Sequence, residues 1–575
     1  MNVPAPRLLL AAAFVLFAAW SLVVPINEAP DEPAHWQYAR YLHDHWRLPP
    51  YAPGFEEANS PPLAYALFAP LATDVGSPEM FIAQGPDGTH VDLAGPRRFV
   101  NTGEAYRQYW GQRLARLLAA AISVGTVFFV WRAGLAAGGP QIGLLASLIV
   151  TLLPMFAFRA GHVSNDALLA CCAAAATWGF VRLLREPFAW RIAWWTSAAV
   201  GLAYLSKISA IALVPPFALA LVLAEDRLPA ANAQLPGPRG LWGRRTWRLT
   251  ALLLAGALVA PWSIRNEVLY GDPFASEAMR HAVAHIITDR SLFSGYFLGD
   301  FPRGLIKSFI GVFGWANVLM PPLAYRPYLA FFALGLGGAL LALWRRRLDW
   351  RLAAVLAVTM LAALAVVIRI NLQFTQPQGR YLLPGLPAFA VLIALGLRAL
   401  PPTLLRLTSP AIVGGALLAG NLYALVLIVW PAYYPAPIRT LDSGVRVMVP
   451  TFLSDLAVLD ADSHWVVTGP TPQWMTRIET PAAPFAAFVV ELTATMTPVT
   501  QRACLYVASV DRAMHLNAPV CADWRADGRP HVVRLALRGQ PGWAGEISHI
   551  RLNPFQAYTG VRGVEVWTRN PQLVP

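Results

Sequence analysis

An α-helical polytopic membrane protein with a β-sandwich at its C-terminal end is the fold class the sequence predicts, and three observations predict it. Hydrophobic residues fill 56% of the 575 positions and charged residues 13%, about half the charged share of an ordinary soluble domain. The apolar residues gather in runs approaching the roughly 20 residues that a helix needs to cross a bilayer. After residue 431 the pattern changes to short alternating runs punctuated by Gly, Pro, Asp and Asn.

Eleven runs read as spans, at roughly 8–26, 113–133, 141–158, 166–184, 192–206, 208–224, 249–264, 327–344, 352–368, 382–398 and 410–431. The first lacks an A-x-A cleavage site and leads into Asp31 and Glu32, so it reads as a retained anchor rather than a signal peptide. Orientation follows from the arginines. With the N-terminus and Arg7 in the cytoplasm, every inside loop is basic: Arg132; Arg182, Arg185 and Arg191; Arg227 to Arg248; Arg345, Arg346, Arg347 and Arg351; Arg398 and Arg406. Residues 229–243, rich in Pro and Gly, read as a cytoplasmic linker. The net charge of +13 is therefore a topology signal and not a nucleic-acid footprint, which would gather on one face. An odd number of spans puts the C-terminus outside the inner membrane of a bacterium.

The predicted organisation is a transmembrane domain over residues 1–431, with a first outer loop at 27–112, and an extracytoplasmic, jelly-roll-like β-domain over 432–575. A second outer segment, 265–326, contains the semi-apolar stretch 304–323, expected to form a re-entrant or interfacial helix. In the β-domain the runs 464–469, 485–496, 502–510, 531–538, 547–552 and 561–568 read as strands. Cys504 and Cys521 lie there and would form a disulfide in an oxidising compartment. Cys171 and Cys172 lie within an apolar run and read as packing residues.

Six short segments bring chemistry to the outer membrane face. NEAPDEPAHWQYARYLHDHW places Asp31 and Glu32 at the exit of the first span, and FEEANSPPLAY adds Glu56 and Glu57 before a Pro-Pro pair. GHVSNDALL places Asp166 at the outer start of the fourth span, where it is also an ordinary choice for helix capping. LAYLSKIS sets Lys207 at a hairpin apex, PWSIRNEVLYGDPF sets Arg265 beyond the seventh span, and QGRYLLPGLP sets Arg380 and Tyr381 before the tenth. A carboxylate at this depth can serve as general base toward a sugar hydroxyl, and the cations can hold a departing phosphate. His35, His43 and His45 lie close to Asp31 in sequence and are compatible with a divalent metal, although their spacing matches no compact zinc motif.

In this order DEPAH, SPPLAY, SNDALL, LAYLSKIS, PWSIRNEVLYGDPF and QGRYLLPGLP resemble the GT-C superfamily of membrane glycosyltransferases over about residues 8–430. They look closest to a bacterial family of membrane proteins of unknown function related to protein O-mannosyltransferases and to the aminoarabinose transferases of lipid A. The resemblance implies an inverting transferase with a polyprenyl-phosphate sugar donor and an envelope glycan, lipid or protein acceptor. It implies catalytic acids at Asp31, with Glu32 beside it, at Asp166 and at Glu57 or its neighbour Glu56, and phosphate contacts at Lys207 and Arg380. Arg265 and Tyr381 join the phosphate group by position. The alternative is a lipid-linked sugar flippase or polysaccharide export component; a transporter would place its polar groups near the bilayer midplane, whereas here they gather at one face. A third reading makes the tail, with GWAGEISHIRLNP (542–554), a glycan-binding module on a membrane scaffold.

Overall fold

The computed structural model describes residues 5–51, 55–74, 82–84, 90–92, 109–186, 190–224, 241–277, 280, 287–433, 446–447, 452–454, 456–460, 464–468, 472–509, 519–540, 542–555 and 563–575. Most of the linker read at 229–243 lies outside them. The chain divides into two compact units. One comprises Met1–Val24, Ala29–Asp74 and Trp110–Val429, the other Pro25–Glu28, Val75–Tyr109 and Trp430–Pro575.

The first unit is a helical bundle, and the protein is a multi-pass membrane protein. Seven helices among the described residues are long and apolar enough to cross a bilayer by themselves: Trp110–Gly138, Asp166–Arg185, Thr246–Tyr270, Pro322–Trp344, Trp350–Asn371, Gly379–Arg398 and Pro410–Tyr433. A further apolar pair, Pro140–Leu152 and Pro154–Ala160, meets at 70°, the geometry of a broken span or a re-entrant loop. Pro154 explains the break, because it lacks the amide hydrogen that would continue the ladder. Helices also form over the remaining runs read as spans, at Ala5–Val23, Trp190–Ser206 and Ile208–Leu223, but these are shorter.

Helices approach closely where side chains are small, as expected where lipid offers no hydrophobic drive for association. At Gly396, an added Cβ would lie 1.8 Å from the carbonyl oxygen of Gly335. The semi-apolar segment 304–323 falls in a helix, Phe301–Gly311, followed by a tight hairpin pairing Val312–Phe313 with Val318–Leu319.

Two helices of the loop after the first apolar helix, Glu32–His45 and Leu63–Phe68, rest on the bundle. Trp36, Ala39, Ala64 and Phe68 pack with Ala115, Ala119, Val163 and Ala167 in one buried cluster. Because this seam is rich in alanine, the loop helices lie close to the bundle, and that fixes the depth of the acids between them.

The second unit carries the β-structure. Ala487–Ser509 runs through both of its halves, pairing with His531–Ala536 and Glu565–Val574 early and with Val520–Asp527 and Glu546–Asn553 late. Phe488, Val490, Leu492, Leu505, Trp474, Trp524, Ile550, Leu552 and Leu573 share one core. Two runs read as separate strands, 485–496 and 502–510, are thus one strand with a register shift between Thr495 and Thr500. Strands Gln473–Pro481 and Val520–Asp527 were not expected from the sequence. Cys504 and Cys521 face each other directly across two strands and form the disulfide.

Candidate active site

A turn places the first acid. Pro30–Asp31 leads into the Glu32–His45 helix, with Asp31 in the left-handed region at φ 62°. Asp tolerates this conformation better than most residues do. Asp31 stands at the N-cap position, but its carboxylate caps nothing. It turns instead to Arg380, Oδ2 lying 2.5 Å from Nη2. Burial alone would raise the carboxyl pKa, but Arg380, His35 and Arg159 outweigh it and hold the group at about 2.

Glu32 takes the other direction. Its carboxylate is wholly buried and pairs with both arms of the Arg116 guanidinium, at 2.7 and 2.5 Å, while Val163 donates its amide at 3.1 Å. Arg116 also donates to the carbonyls of Ser21 and Val24. This acid fastens the loop to two helices and is not among the residues that line the cavity described below. Asp31, at φ 62°, stands outside the helix and Glu32 is its first residue, so the two adjacent carboxylates leave the chain in different directions and Glu32 points into the bundle.

Glu57 comes from the short turn Glu56–Asn59 and accepts from Ser60 Oγ at 2.7 Å and from the Tyr65 hydroxyl at 2.9 Å. The Glu56 side chain lies outside the described residues. Tyr65 stacks on Tyr38, ring centroids 4.1 Å apart, and also meets Asn165 Nδ2 and His35 Nδ1, each at 3.0 Å. Burial lowers the His35 pKa, with Glu57 and Asp31 opposing it, so the ring is neutral near pH 7.

Asp166 begins the Asp166–Arg185 helix but does not cap it. It lies 2.6 Å from Lys207 Nζ and 2.8 Å from Arg159 Nη2. Lys207 lies over the Tyr381 ring at 5.2 Å, and Arg380 packs on the same ring. The chain can deliver Arg380 here because Gly379 abuts the Ser308–Phe309 backbone, where an added Cβ would meet Phe309 at 2.3 Å. The Gly379 amide donates to Ser308 Oγ at 2.7 Å.

These groups border one cavity of about 710 Å³. Asp31, His35, Glu57, Asn165, Lys207, Arg380 and Tyr381 line it, with Arg280 and Arg369 as further cations and Ile211, Val366, Ile370 and Phe374 as apolar wall. Asp166 stands behind Lys207. Arg265 does not reach the cavity: it donates to the Pro49 carbonyl at 2.6 Å and lies over Trp262, so it holds the loop rather than the lining. Asp31, His35 and Glu57 bring ligand atoms within 4.8 Å of one another and are the group that could hold a divalent cation among the described residues. His43 and His45 stand apart, bonded to the carbonyls of Ala69 and Tyr41.

Arg159 and Tyr65 were not singled out in the sequence, and neither was Arg116, although an arginine within an apolar run requires a partner and so left a faint signal.

A model of the dolichyl-phosphate-mannose-protein mannosyltransferase family matches residues 107–236. No curated protein matches the chain. Among solved structures, ArnT from Cupriavidus metallidurans bound to undecaprenyl phosphate is similar at 16% identity and a TM-score of 0.44, over 75% of this chain and 74% of that one. Arabinosyltransferase EmbB from Mycobacterium smegmatis is similar at 12% identity and a TM-score of 0.42, over 100% and 64%. The Archaeoglobus fulgidus oligosaccharyltransferase tethered with an acceptor peptide is similar at 13% and 0.38, over 75% and 55%. The chain spans less than two thirds of the length of the latter two.

Proposed function

We propose that this chain is an inverting glycosyltransferase that moves a sugar from a polyprenyl-phosphate carrier to an acceptor on the outer face of the bacterial inner membrane. One observation carries the reading: acids from the first outer loop and cations from residues 207 and 380 line a single cavity with an apolar wall. The family match over residues 107–236 supports the same donor class.

In this mechanism the prenyl chain lies along the apolar wall, and its phosphate meets Lys207 and Arg380. The acceptor hydroxyl attacks the anomeric carbon from the side opposite the phosphate. A carbon–oxygen bond forms to the acceptor as the bond to the phosphate oxygen breaks, and the configuration inverts. Asp31 takes the hydroxyl proton. An ion-paired carboxylate is a weak base toward a free alcohol, but the hydroxyl becomes strongly acidic as its oxygen bonds to carbon, so the transfer falls late in the step. Arg380 then gains the leaving phosphate as a second partner, which loosens its hold on Asp31 as the proton arrives. Asp166 keeps Lys207 charged and aimed. Were a divalent cation held by Asp31, His35 and Glu57 instead, it would supply Lewis acidity on the side of the acceptor hydroxyl.

The test is a comparison of surface glycans, by mass spectrometry, between wild-type cells, a deletion strain and the strain complemented with Asp31→Asn. Loss of one sugar in the deletion strain, restored by the wild-type gene and not by the variant, is the expected result. Unchanged glycans in the deletion strain would overturn the proposal.

A further inference from the structure

Tyr65 is the node of a hydrogen-bond network that includes His35. Three groups meet its hydroxyl: the Glu57 carboxylate at 2.9 Å, Asn165 Nδ2 at 3.0 Å and His35 Nδ1 at 3.0 Å. A phenol has one hydrogen to give and two lone pairs to receive. An ionised carboxylate can only accept, so the phenol hydrogen goes to Glu57 Oε2. Asn165 must then present its amide nitrogen, and His35 must present Nδ1 with a hydrogen on it. The neutral ring carries one hydrogen, which leaves Nε2 with its lone pair. That nitrogen makes no hydrogen bond to any described residue, and the ring lines the cavity between Asp31 and Glu57.

We propose that Tyr65 is a positioning residue that locks His35 in the Nδ1–H tautomer, so that Nε2 accepts a hydrogen bond from a substrate hydroxyl in the cavity. Asp31 is engaged by Arg380 and Glu57 by Ser60 and Tyr65. His35 Nε2 is therefore the neutral, unengaged acceptor that these three groups offer. A sugar or alcohol hydroxyl is the ligand chemistry it fits, since the hydroxyl can donate there while its oxygen stays free to react or to accept elsewhere. This inference rests on the transferase reading for the identity of the ligand, but not for the tautomer. The opposite arrangement, with Glu57 protonated and donating through Tyr65 to Nδ1, would put the ring hydrogen on Nε2 and remove the acceptor.

Nitrogen NMR of the full-length protein in nanodiscs with ¹⁵N-histidine reads the tautomer directly, His35 being identified by the resonance lost in His35→Asn. The expected result is a hydrogen on Nδ1 and a bare Nε2 near pH 7, with both tautomers present in Tyr65→Phe. A hydrogen on Nε2 in the wild type, or an unchanged spectrum in Tyr65→Phe, would overturn the proposal. Complementation of the deletion strain adds a functional readout. Asn keeps a donor where Nδ1 lies but nothing at Nε2, whereas the longer Gln can place its oxygen near Nε2. His35→Asn should therefore lower glycan product at least tenfold and His35→Gln should rescue part of it; equal losses would count against the acceptor role. Unchanged glycans in the deletion strain would remove the transferase reading, and the tautomer would still be decided by the NMR.

Discussion

Asp31 and Glu32 are adjacent acids with the same chemistry, and the structure predicts opposite phenotypes for their amide variants. Asp31→Asn keeps the side-chain shape, and Asn tolerates the left-handed backbone at φ 62° as well as Asp does. The carboxylate retains 38% of its surface, and the amide oxygen can still accept from Arg380. Arg380 is only 7% exposed, but Asp31 opens onto the cavity, so water can answer part of the lost charge and the stability cost should be about 1–2 kcal/mol, between that of an exposed pair and that of a fully buried one. The lost proton acceptor, in contrast, should lower transfer by about 10²–10⁴-fold. Glu32→Gln removes one charge from a pair in which the carboxylate and guanidinium are 0% and 2% exposed. It takes the bidentate carboxylate away from a buried guanidinium, a loss of about 3–5 kcal/mol, enough to unfold much of a marginally stable protein. Membrane-fraction yield, thermal unfolding in detergent and glycan product measured on both variants check this. A well-folded but inactive Glu32→Gln protein, or a poorly folded Asp31→Asn protein, would refute the division of labour.

Other outcomes follow from the same geometry. Lys207→Met and Arg380→Met should each weaken use of a polyprenyl-phosphate donor by about 10–100-fold, the worth of one charge-assisted hydrogen bond, seen as a raised KM for the lipid; an unchanged KM would take the phosphate elsewhere. Because Arg380 and its neighbours hold Asp31 at about 2, the carboxylate stays ionised as pH falls from 8 to 5. The pH profile of kcat/KM, which reports the donor-free protein, should show no acid limb from this group until far lower pH, whereas a limb near the ordinary value of about 4 would mean that the pair is already open before the donor binds. Replacing Cys504 and Cys521 by Ser opens a crosslink spanning 17 positions and should cost the β-unit about 3 kcal/mol by chain entropy, measured by thermal unfolding; no change would refute it. Reporter fusions should place Arg345–Arg347 in the cytoplasm and residues 27–112 and 432–575 outside, and a cytoplasmic C-terminus would break the topology.

Much of the site was legible because a polar residue at the end of an apolar run reveals its depth. Asp31, Asp166, Lys207 and Arg380 all sit at such ends, and three of them line the cavity while Asp166 backs it. Depth, however, says nothing of direction. Glu32 and Arg265 read the same way in sequence, but one turns into the bundle and the other toward Pro49. The partner of Glu32 lies 84 positions away in Arg116, a separation that no local pattern encodes. In the β-unit, Gln473–Pro481 was missed because Thr476 and Thr480 occupy buried positions beside Trp474 and Ile478, which blurs the alternation. Val520–Asp527 was masked by Asp523, Arg525 and Asp527, the exposed half of a strand whose buried half is Val520, Trp524 and Ala526.

The charges of the cavity explain how such a site persists without its substrate. A lone cation at the membrane face is costly to desolvate, and each cation proposed to meet the phosphate already has a carboxylate: Arg380 has Asp31, and Lys207 has Asp166. The two pairs differ in accessibility. Asp166 is 1% exposed and is gripped also by Arg159, so its pair is part of the scaffold, whereas Asp31 is 38% exposed and faces the cavity. Under the proposed reaction the phosphate can therefore draw charge from Arg380 more readily than from Lys207. The carboxylate that loses its partner in that exchange is the one adjacent to the reacting hydroxyl. Donor binding and base release then become one event, which ties proton acceptance to the presence of a donor and leaves the empty site with its charges matched.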